Sequence, residues 1–344
     1  MGTRRRRVSV NSGRSKLLKW DDLLMEIISN PTQDEIKKAA KSLKDGHLVA
    51  FPTETVYGLG ADATNEMAVA RIYSVKGRPV GHPLIVHISS INKINEWAVD
   101  IPEYALKLAQ EFWPGPMTLI LKRTDLARNF ITGGQDNVGV RVPAHPAALA
   151  LLSEFEKLGG LGIAAPSANK FGAVSPTNSE AVIEEIGSEL SQRDMILDGG
   201  NSNVGVESTI IDCTKEVPDV LRPGAITIEM IRFCTEHKIA ISKVSNDIRA
   251  SGLLKTHYSP KAQVVLGAKA ERGDGFLAMA DISTPIGAIR LASPSTIEEF
   301  AHQLYQALRL GDHKNLTKII VIPPIGGGLS DAIRDRLVRS VIGK

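Results

Sequence analysis

The chain has 344 residues, 43% hydrophobic and 23% charged, with 30 Gly and 18 Pro, an ordinary globular composition at a length that suggests about two domains. No apolar stretch approaches the roughly 20 residues of a membrane-spanning helix, and none reads as the core of a secretory signal, so a soluble protein is expected. The net charge of +3 is uneven: residues 1–19 hold seven Lys and Arg and no acid, which leaves the rest of the chain at −4. A body of that sign is a poor footprint for a dedicated nucleic-acid binder.

Residues 1–30 read as a basic extension. Its Arg-rich, acid-free start suits an organelle-targeting segment, an RNA-contacting arm or a plain solvated tail, the last being the default. From Thr32 the pattern is regular. Thr32-Gln-Asp-Glu35 is a capping box, followed by Ile36, Ala39, Ala40 and Leu43 at helical spacing and a stop at Gly46. The apolar run 47–51 predicts a buried strand that delivers residues 53–60 into a turn. Further strands are predicted at 84–88, 117–121, 138–142, 161–165, 195–197 and 208–212, with helices near 67–75, 103–112, 147–158 and 178–187. This interleaving predicts an α/β domain over residues 31–237, with chemistry in the loops at strand ends. Cys213 and Cys234 are too few for a disulfide framework and read as small buried hydrophobes of a reducing compartment.

Residues 238–261 read as a linker. Beyond it, strands at 263–266, 286–291 and 318–322 and helices at 296–310 and 329–341 predict a small doubly wound, Rossmann-like α/β domain over residues 262–344. Gly326–Gly328 reads as a tight strand-to-helix turn.

Four segments of the first domain carry side chains suited to a ligand. Pro52-Thr-Glu-Thr-Val-Tyr-Gly-Leu-Gly60 offers close backbone approach and the Thr53 hydroxyl. Lys76-Gly-Arg78-Pro sets a point charge and a planar fork two residues apart, a combination that neutralises polyphosphate. Pro166-Ser167-Ala-Asn169 is followed by Ser175-Pro-Thr177, whose Thr177-x-x-Glu180 is expected to open a helix. Gly205-Val-Glu-Ser-Thr209 leads into a strand, with Leu221-Arg222-Pro-Gly224 behind it. Each alone is equally a capped turn or a solvated surface.

Together with WPGPMTLIL, VGVRVPAHP and the order in which all of them occur, these segments resemble the YrdC-like L-threonylcarbamoyladenylate synthases, in the long form with an added C-terminal domain. The resemblance runs from about Thr32 to the end of the chain. The linker segment from Ser251 to Pro260, with His257 and Tyr258, is similar to that family's interdomain motif. The resemblance implies a YrdC-like twisted mixed sheet flanked by helices. It also implies a reaction in which L-threonine, bicarbonate and ATP give threonylcarbamoyl-AMP and pyrophosphate. The product would pass to a tRNA threonylcarbamoyl transferase complex in the cytoplasm. Such chemistry needs positioning and cations rather than a protein nucleophile, in keeping with the lack of a Ser-His-Asp or Cys-His pattern.

By position in the matching motifs, Lys76, Arg78, Ser167 and Asn169 would be the catalytic groups. Lys76 and Arg78 would neutralise the triphosphate, while Ser167, Asn169 and Ser175 would donate to its oxygens. Arg222 and Tyr258 would contact the nucleotide. Arg141 would receive the threonine carboxylate, with Thr53, His87 and Thr209 shaping the pocket. Mg²⁺ would be held mainly by ATP phosphates, with no protein metal ligands. Asn137, His82 and Ser251 depart from the family pattern, and the C-terminal domain is short. The competing readings are a non-catalytic RNA-binding YrdC-like protein with weak, salt-sensitive RNA contacts, and a carbamoyltransferase-type enzyme, for whose additional domains the chain has no room.

Overall fold

The capping box at Thr32 forms in the structure: Thr32 Oγ1 accepts from the Glu35 N–H, and the Glu35 carboxylate accepts from the Thr32 N–H at 2.7 Å. It starts α1 (Gln33–Lys44), which stops before Gly46 at φ +88°. The structure is a computed structural model that describes residues 15–20, 23–240, 248–250, 252 and 257–341. The arginine-rich start and much of the linker, Ser251 included, lie outside the described residues.

Two strands precede α1, β1 (Ser15–Trp20) and β2 (Leu23–Ser29). After it come β3 (Val49–Phe51), β4 (Gly58–Asp62), α2 (Glu66–Lys76), β5 (Ile85–His87), α3 (Ile94–Trp97), α4 (Glu103–Phe112), β6 (Met117–Lys122) and α5 (Asn129–Thr132). Then follow β7 (Asn137–Arg141), α6 (Pro146–Lys157), β8 (Ile163–Ala164), α7 (Ser179–Ile186), β9 (Met195–Asp198), β10 (Thr209–Asp212), β11 (Asp219–Arg222) and α8 (Ile228–Thr235). The strands form one mixed sheet in the order β1-β2-β9-β3-β4-β8-β5-β7-β6-β10-β11. Side chains alternate along β3: Ala50 joins a core with residues of α2, α4 and α8, while Val49 and Phe51 face α1 and α6. Helices therefore flank both faces of the twisted mixed sheet.

The expected bounds need three corrections. Residues 15–20 and 23–29 are not tail but strands: β1 pairs antiparallel with β2, β2 pairs in parallel with β9, and Ile27 and Ile28 are buried, because Leu17-Leu18 and the run from Leu23 to Ile28 supply apolar residues that the arginine-rich start lacks. Residues 58–62 are strand rather than turn. Gly60 is imposed by packing, since a Cβ there would lie 2.8 Å from Ile163 and from Phe51. The N-cap of α7 is Asn178, whose side chain accepts from the Ala181 N–H, not Thr177.

The C-terminal unit holds β12 (Gln263–Leu266), β13 (Gly275–Leu277), β14 (Ile289–Ala292), α9 (Ile297–His313), β15 (Lys318–Val321) and α10 (Leu329–Val341). Its sheet, β12-β15-β13-β14, is parallel throughout. Phe300 and Leu304 of α9 and Ile333 and Leu337 of α10 pack with Val264, Leu277 and Ile319. The strand expected at 286–291 begins only at Ile289, and Ile286 is fully exposed. The same core takes in Val56, Val174 and Val206 from loops of the first unit, together with Tyr258. The two sheets therefore meet where the ligand-suited loops gather.

Candidate active site

Gly77 ends α2 in the left-handed region at φ +61°, where its N–H reaches the Ser74 and Tyr73 carbonyls. This turn places Lys76 and Arg78 on either side of a sharp change in direction. Lys76 is buried and its Nζ donates to the Ser167 carbonyl at 2.6 Å and to the Asn169 carbonyl. Burial, with Arg78 next to it, pushes its pKa well below the usual lysine value. Arg78 donates to the Pro83 carbonyl at 2.9 Å and lies 5.8 Å from the Phe171 ring centroid. Burial lowers its pKa to about 10, so it remains a cation at neutral pH. The loop 166–169 is strapped onto the turn before β4: Leu59 N–H donates to the Pro166 carbonyl and Ala168 N–H to the Tyr57 carbonyl. Asn169 Nδ2 donates to the Lys170 and Ala173 carbonyls, and its buried Oδ1 has no partner.

The neighbouring strands β5 and β7 place His87 directly across from Arg141. Arg141 donates from Nη2 to Glu54 Oε1 at 2.6 Å and to Thr55 Oγ1 at 3.0 Å, and from Nε to the Gly115 carbonyl at 3.3 Å. Glu54 is anchored in turn by the Ala144 N–H at 3.0 Å. His87 stands edge-on to Phe51, its Nδ1 unpartnered. Burial, reinforced by Arg141, drops its pKa to about 3, so the imidazole is neutral. Thr53 Oγ1 donates to the Val56 carbonyl at 2.6 Å and accepts from the Thr55 and Val56 amides, so its hydroxyl closes the turn as well as facing the site.

Arg222, at the end of β11, donates to the Ser208 carbonyl at 3.0 Å and to Ser208 Oγ at 3.1 Å. Beside it Glu207 is buried, accepting from Ser175 Oγ at 2.6 Å, Tyr305 Oη at 2.8 Å and Arg336 Nε at 2.8 Å. Burial alone would raise the Glu207 pKa, but Arg336, Arg222 and Ser175 hold it down to about 2. Tyr258 stacks on Tyr305 with ring centroids 5.7 Å apart, and burial raises its phenol to about 12.

One cavity of about 50 Å³ is bordered by Thr53, Arg78, His87, Arg141, Ser167, Arg222 and Tyr258, seven of the eleven candidate residues. The other four stand off its wall. Lys76 and Asn169 lie behind Ser167, and Ser175 is bonded to Glu207. Thr209 is engaged with Ile226, donating to its carbonyl at 2.7 Å and accepting from its N–H at 3.1 Å. Thr55, Glu207, Ser208, Gly252 and His257 also line the cavity and went unassigned in the sequence reading. A signal for the partners of Glu207 does exist: Arg336 falls on the same helical stripe as Ile333, Leu337 and Ser340, so a cation sits on a buried face.

No group of three or more His, Cys, Asp and Glu side chains able to hold a metal occurs among the described residues, and no described helix is long and apolar enough to cross a membrane. The Sua5/YciO/YrdC family model, described as telomere recombination, matches residues 41–224. The model described as the threonylcarbamoyl-AMP synthase C-terminal domain matches residues 226–341. The chain belongs to this Sua5/YciO/YrdC family.

Within the family it is similar to the threonylcarbamoyl-AMP synthase of Pyrococcus abyssi, 38% identical over 88% of this chain and 93% of that one. The Bacillus subtilis enzyme of the same name is 38% identical over 94% and 97%. The crystal structure of P. abyssi Sua5 complexed with L-threonine matches with a TM-score of 0.84 at 37% identity, covering 92% of this chain and 98% of that chain.

Proposed function

We propose that this chain is a threonylcarbamoyl-AMP synthase, joining L-threonine, bicarbonate and ATP into L-threonylcarbamoyladenylate with release of pyrophosphate, a nucleotidyl transfer. The observation that carries this reading is the convergence of three guanidiniums, Arg78, Arg141 and Arg222, with Ser167 and neutral His87 on one cavity, in a chain similar over its length to synthases of that name.

The threonine carboxylate would sit against Arg141, beside the neutral imidazole of His87. The threonine amine adds to the carbon of bicarbonate with loss of water, or to that of carbon dioxide with release of a proton to solvent, and either route gives a carbamate. A carbamate oxygen then forms a bond to the α-phosphorus as the bond to the β-phosphate oxygen breaks, and pyrophosphate leaves with the electron pair. Arg78 and Arg222 oppose the negative charge of the transferring phosphate, and Ser167 donates to its oxygens. Lys76 acts here by clasping the carbonyls of Ser167 and Asn169, which fixes the loop against the phosphates. Mg²⁺, which would spread the phosphate charge, would be carried by ATP oxygens: Glu207, the carboxylate that borders the cavity, already accepts three hydrogen bonds.

The product would serve tRNA modification through a separate transferase, and the enzyme would act in the cytoplasm. The synthase reading is favoured over the non-catalytic RNA-binding alternative, since near-full-length relatives carry the synthase name. The test is pyrophosphate release from ATP with and without L-threonine and bicarbonate, using serine to probe selectivity. Release that requires both is expected; release indifferent to threonine, or none, overturns the reading.

A further inference from the structure

The C-terminal unit reaches the cavity wall through two buried side chains, Tyr305 of α9 and Arg336 of α10. Arg336 has no side-chain exposure. It donates from Nε to Glu207 Oε2 at 2.8 Å, from Nη2 to the Pro223 carbonyl at 3.0 Å and the Glu207 carbonyl at 3.3 Å, and from Nη1 to Asp335 Oδ2 at 2.7 Å. Its guanidinium also lies 5.5 Å from the Tyr258 ring centroid. One cation of the second unit therefore contacts the acid that holds Ser175, the residue that follows Arg222, and the ring of Tyr258.

We propose that Arg336, assisted by Tyr305, is a positioning residue for the nucleotide half of the site. It neutralises Glu207, so that a carboxylate can hold the Ser175 hydroxyl in place without repelling the phosphates of ATP. This rests on the synthase reading above. A buried carboxylate stripped of its cation is strongly unfavourable, and this one would face an anionic nucleotide. Among the described residues, the groups around Glu207 are Ser175, Arg222, Tyr258, His257, Tyr305, Arg336 and, behind the last, Asp335. With Arg336 removed, Arg222 is the one guanidinium left among them. Arg222 is also the group assigned to the nucleotide.

The test is Arg336→Met in the full-length protein, titrated separately with Mg-ATP and with L-threonine. ATP affinity is expected to fall roughly tenfold to twentyfold, the factor for one uncompensated unit charge about 10 Å from another at an effective dielectric of about 20. L-threonine affinity should stay within about twofold, since Arg141 and Glu54 are untouched. The ATP affinity of Arg336→Met should rise as the pH is lowered and Glu207 takes up a proton. Adding Glu207→Gln, whose amide oxygen accepts from one of the Ser175 and Tyr305 hydroxyls and whose NH2 donates to the other without any charge, should restore most of the lost affinity.

An Arg336→Met protein that binds ATP like the wild type overturns the inference. So does an equal loss for ATP and threonine that Glu207→Gln fails to rescue. If Arg336→Met alone does not fold, the double variant compared with Glu207→Gln decides: ATP affinities within a few-fold support the inference, and a further loss or failure to fold overturns it. Wild-type protein that releases no pyrophosphate would instead refute the synthase reading itself.

Discussion

Arg141 offers the sharpest test of the threonine half. Of its five N–H donors, Nε and Nη2 go to Gly115, Glu54 and Thr55, and no hydrogen bond among the described residues engages Nη1. That edge is where a substrate carboxylate can dock while Glu54 holds the opposite edge still. A hydrogen bond between charged groups contributes about 1.5–3 kcal/mol, so its loss corresponds to about 10- to 150-fold in affinity. Arg141→Met should therefore raise the threonine KM by about that factor while ATP affinity stays near the wild-type value. The single variant also strands Glu54, because the pair is buried, with side-chain exposures of 6% and 10%. Breaking such a pair from one side costs about 3–5 kcal/mol of stability. The measurement is therefore made on Arg141→Met with Glu54→Gln, which removes both charges and keeps an amide for the Ala144 N–H. The assay is initial rate of pyrophosphate release against threonine concentration at saturating ATP and bicarbonate. An unchanged threonine KM in a folded double variant would refute the assignment.

Three further outcomes are expected. Gly252→Ala puts a Cβ at φ +79°, 2.4 Å from Tyr258 Oη and 2.7 Å from Arg222 Nη1. It should weaken ATP binding by about tenfold, in line with the 1–3 kcal/mol typical of such backbone strain, and an unaltered ATP titration would contradict it. His87 and His257 are both held near pKa 3, chiefly by burial. Below the unfolded value of 6.5 the unfolded chain binds protons that the folded chain does not, so stability falls as the pH drops from there toward 3. Each histidine contributes about 1.4 kcal/mol per pH unit in that window. Glu207, held down to about 2, adds stability above the usual glutamate value of 4.5 that is lost as the pH falls through that range toward 2. Denaturant titrations at pH 7, 5.5 and 4.5 should show this slope, shallower above pH 5 in His87→Gln but not abolished, since burial also lowers His82 and His145, and a flat profile would refute it. Finally, burial raises the Cys213 thiol well above its usual pKa. Iodoacetamide should therefore leave Cys213 unlabelled in the native protein by peptide mass mapping and label it after denaturation.

What the sequence made legible, and what it hid, follows from where each interaction is written in the chain. Local signals carried far. The capping box fixed the start of α1, and the left-handed Gly77 in Lys76-Gly77-Arg78 is the reason those two cations flank one turn. Motif order anticipated seven residues that the structure gathers on one cavity. Non-local pairings were silent. Glu54 lies in the same quoted motif as Thr53, yet its partner Arg141 is 87 positions away. Glu207 meets Arg336 across 129 positions. Thr209 shows the converse: its motif placed it with threonine, but its hydroxyl bonds both the N–H and the carbonyl of Ile226, so any effect on the substrate must pass through the backbone it holds. Strand β4 escaped notice because Gly60 is demanded by Phe51 and Ile163 rather than by a turn. A buried acid inside a motif therefore carries a question the motif cannot answer, namely which distant cation neutralises it. For Glu207 the answer lies in the second domain, which makes that domain part of the electrostatics of the proposed nucleotide site.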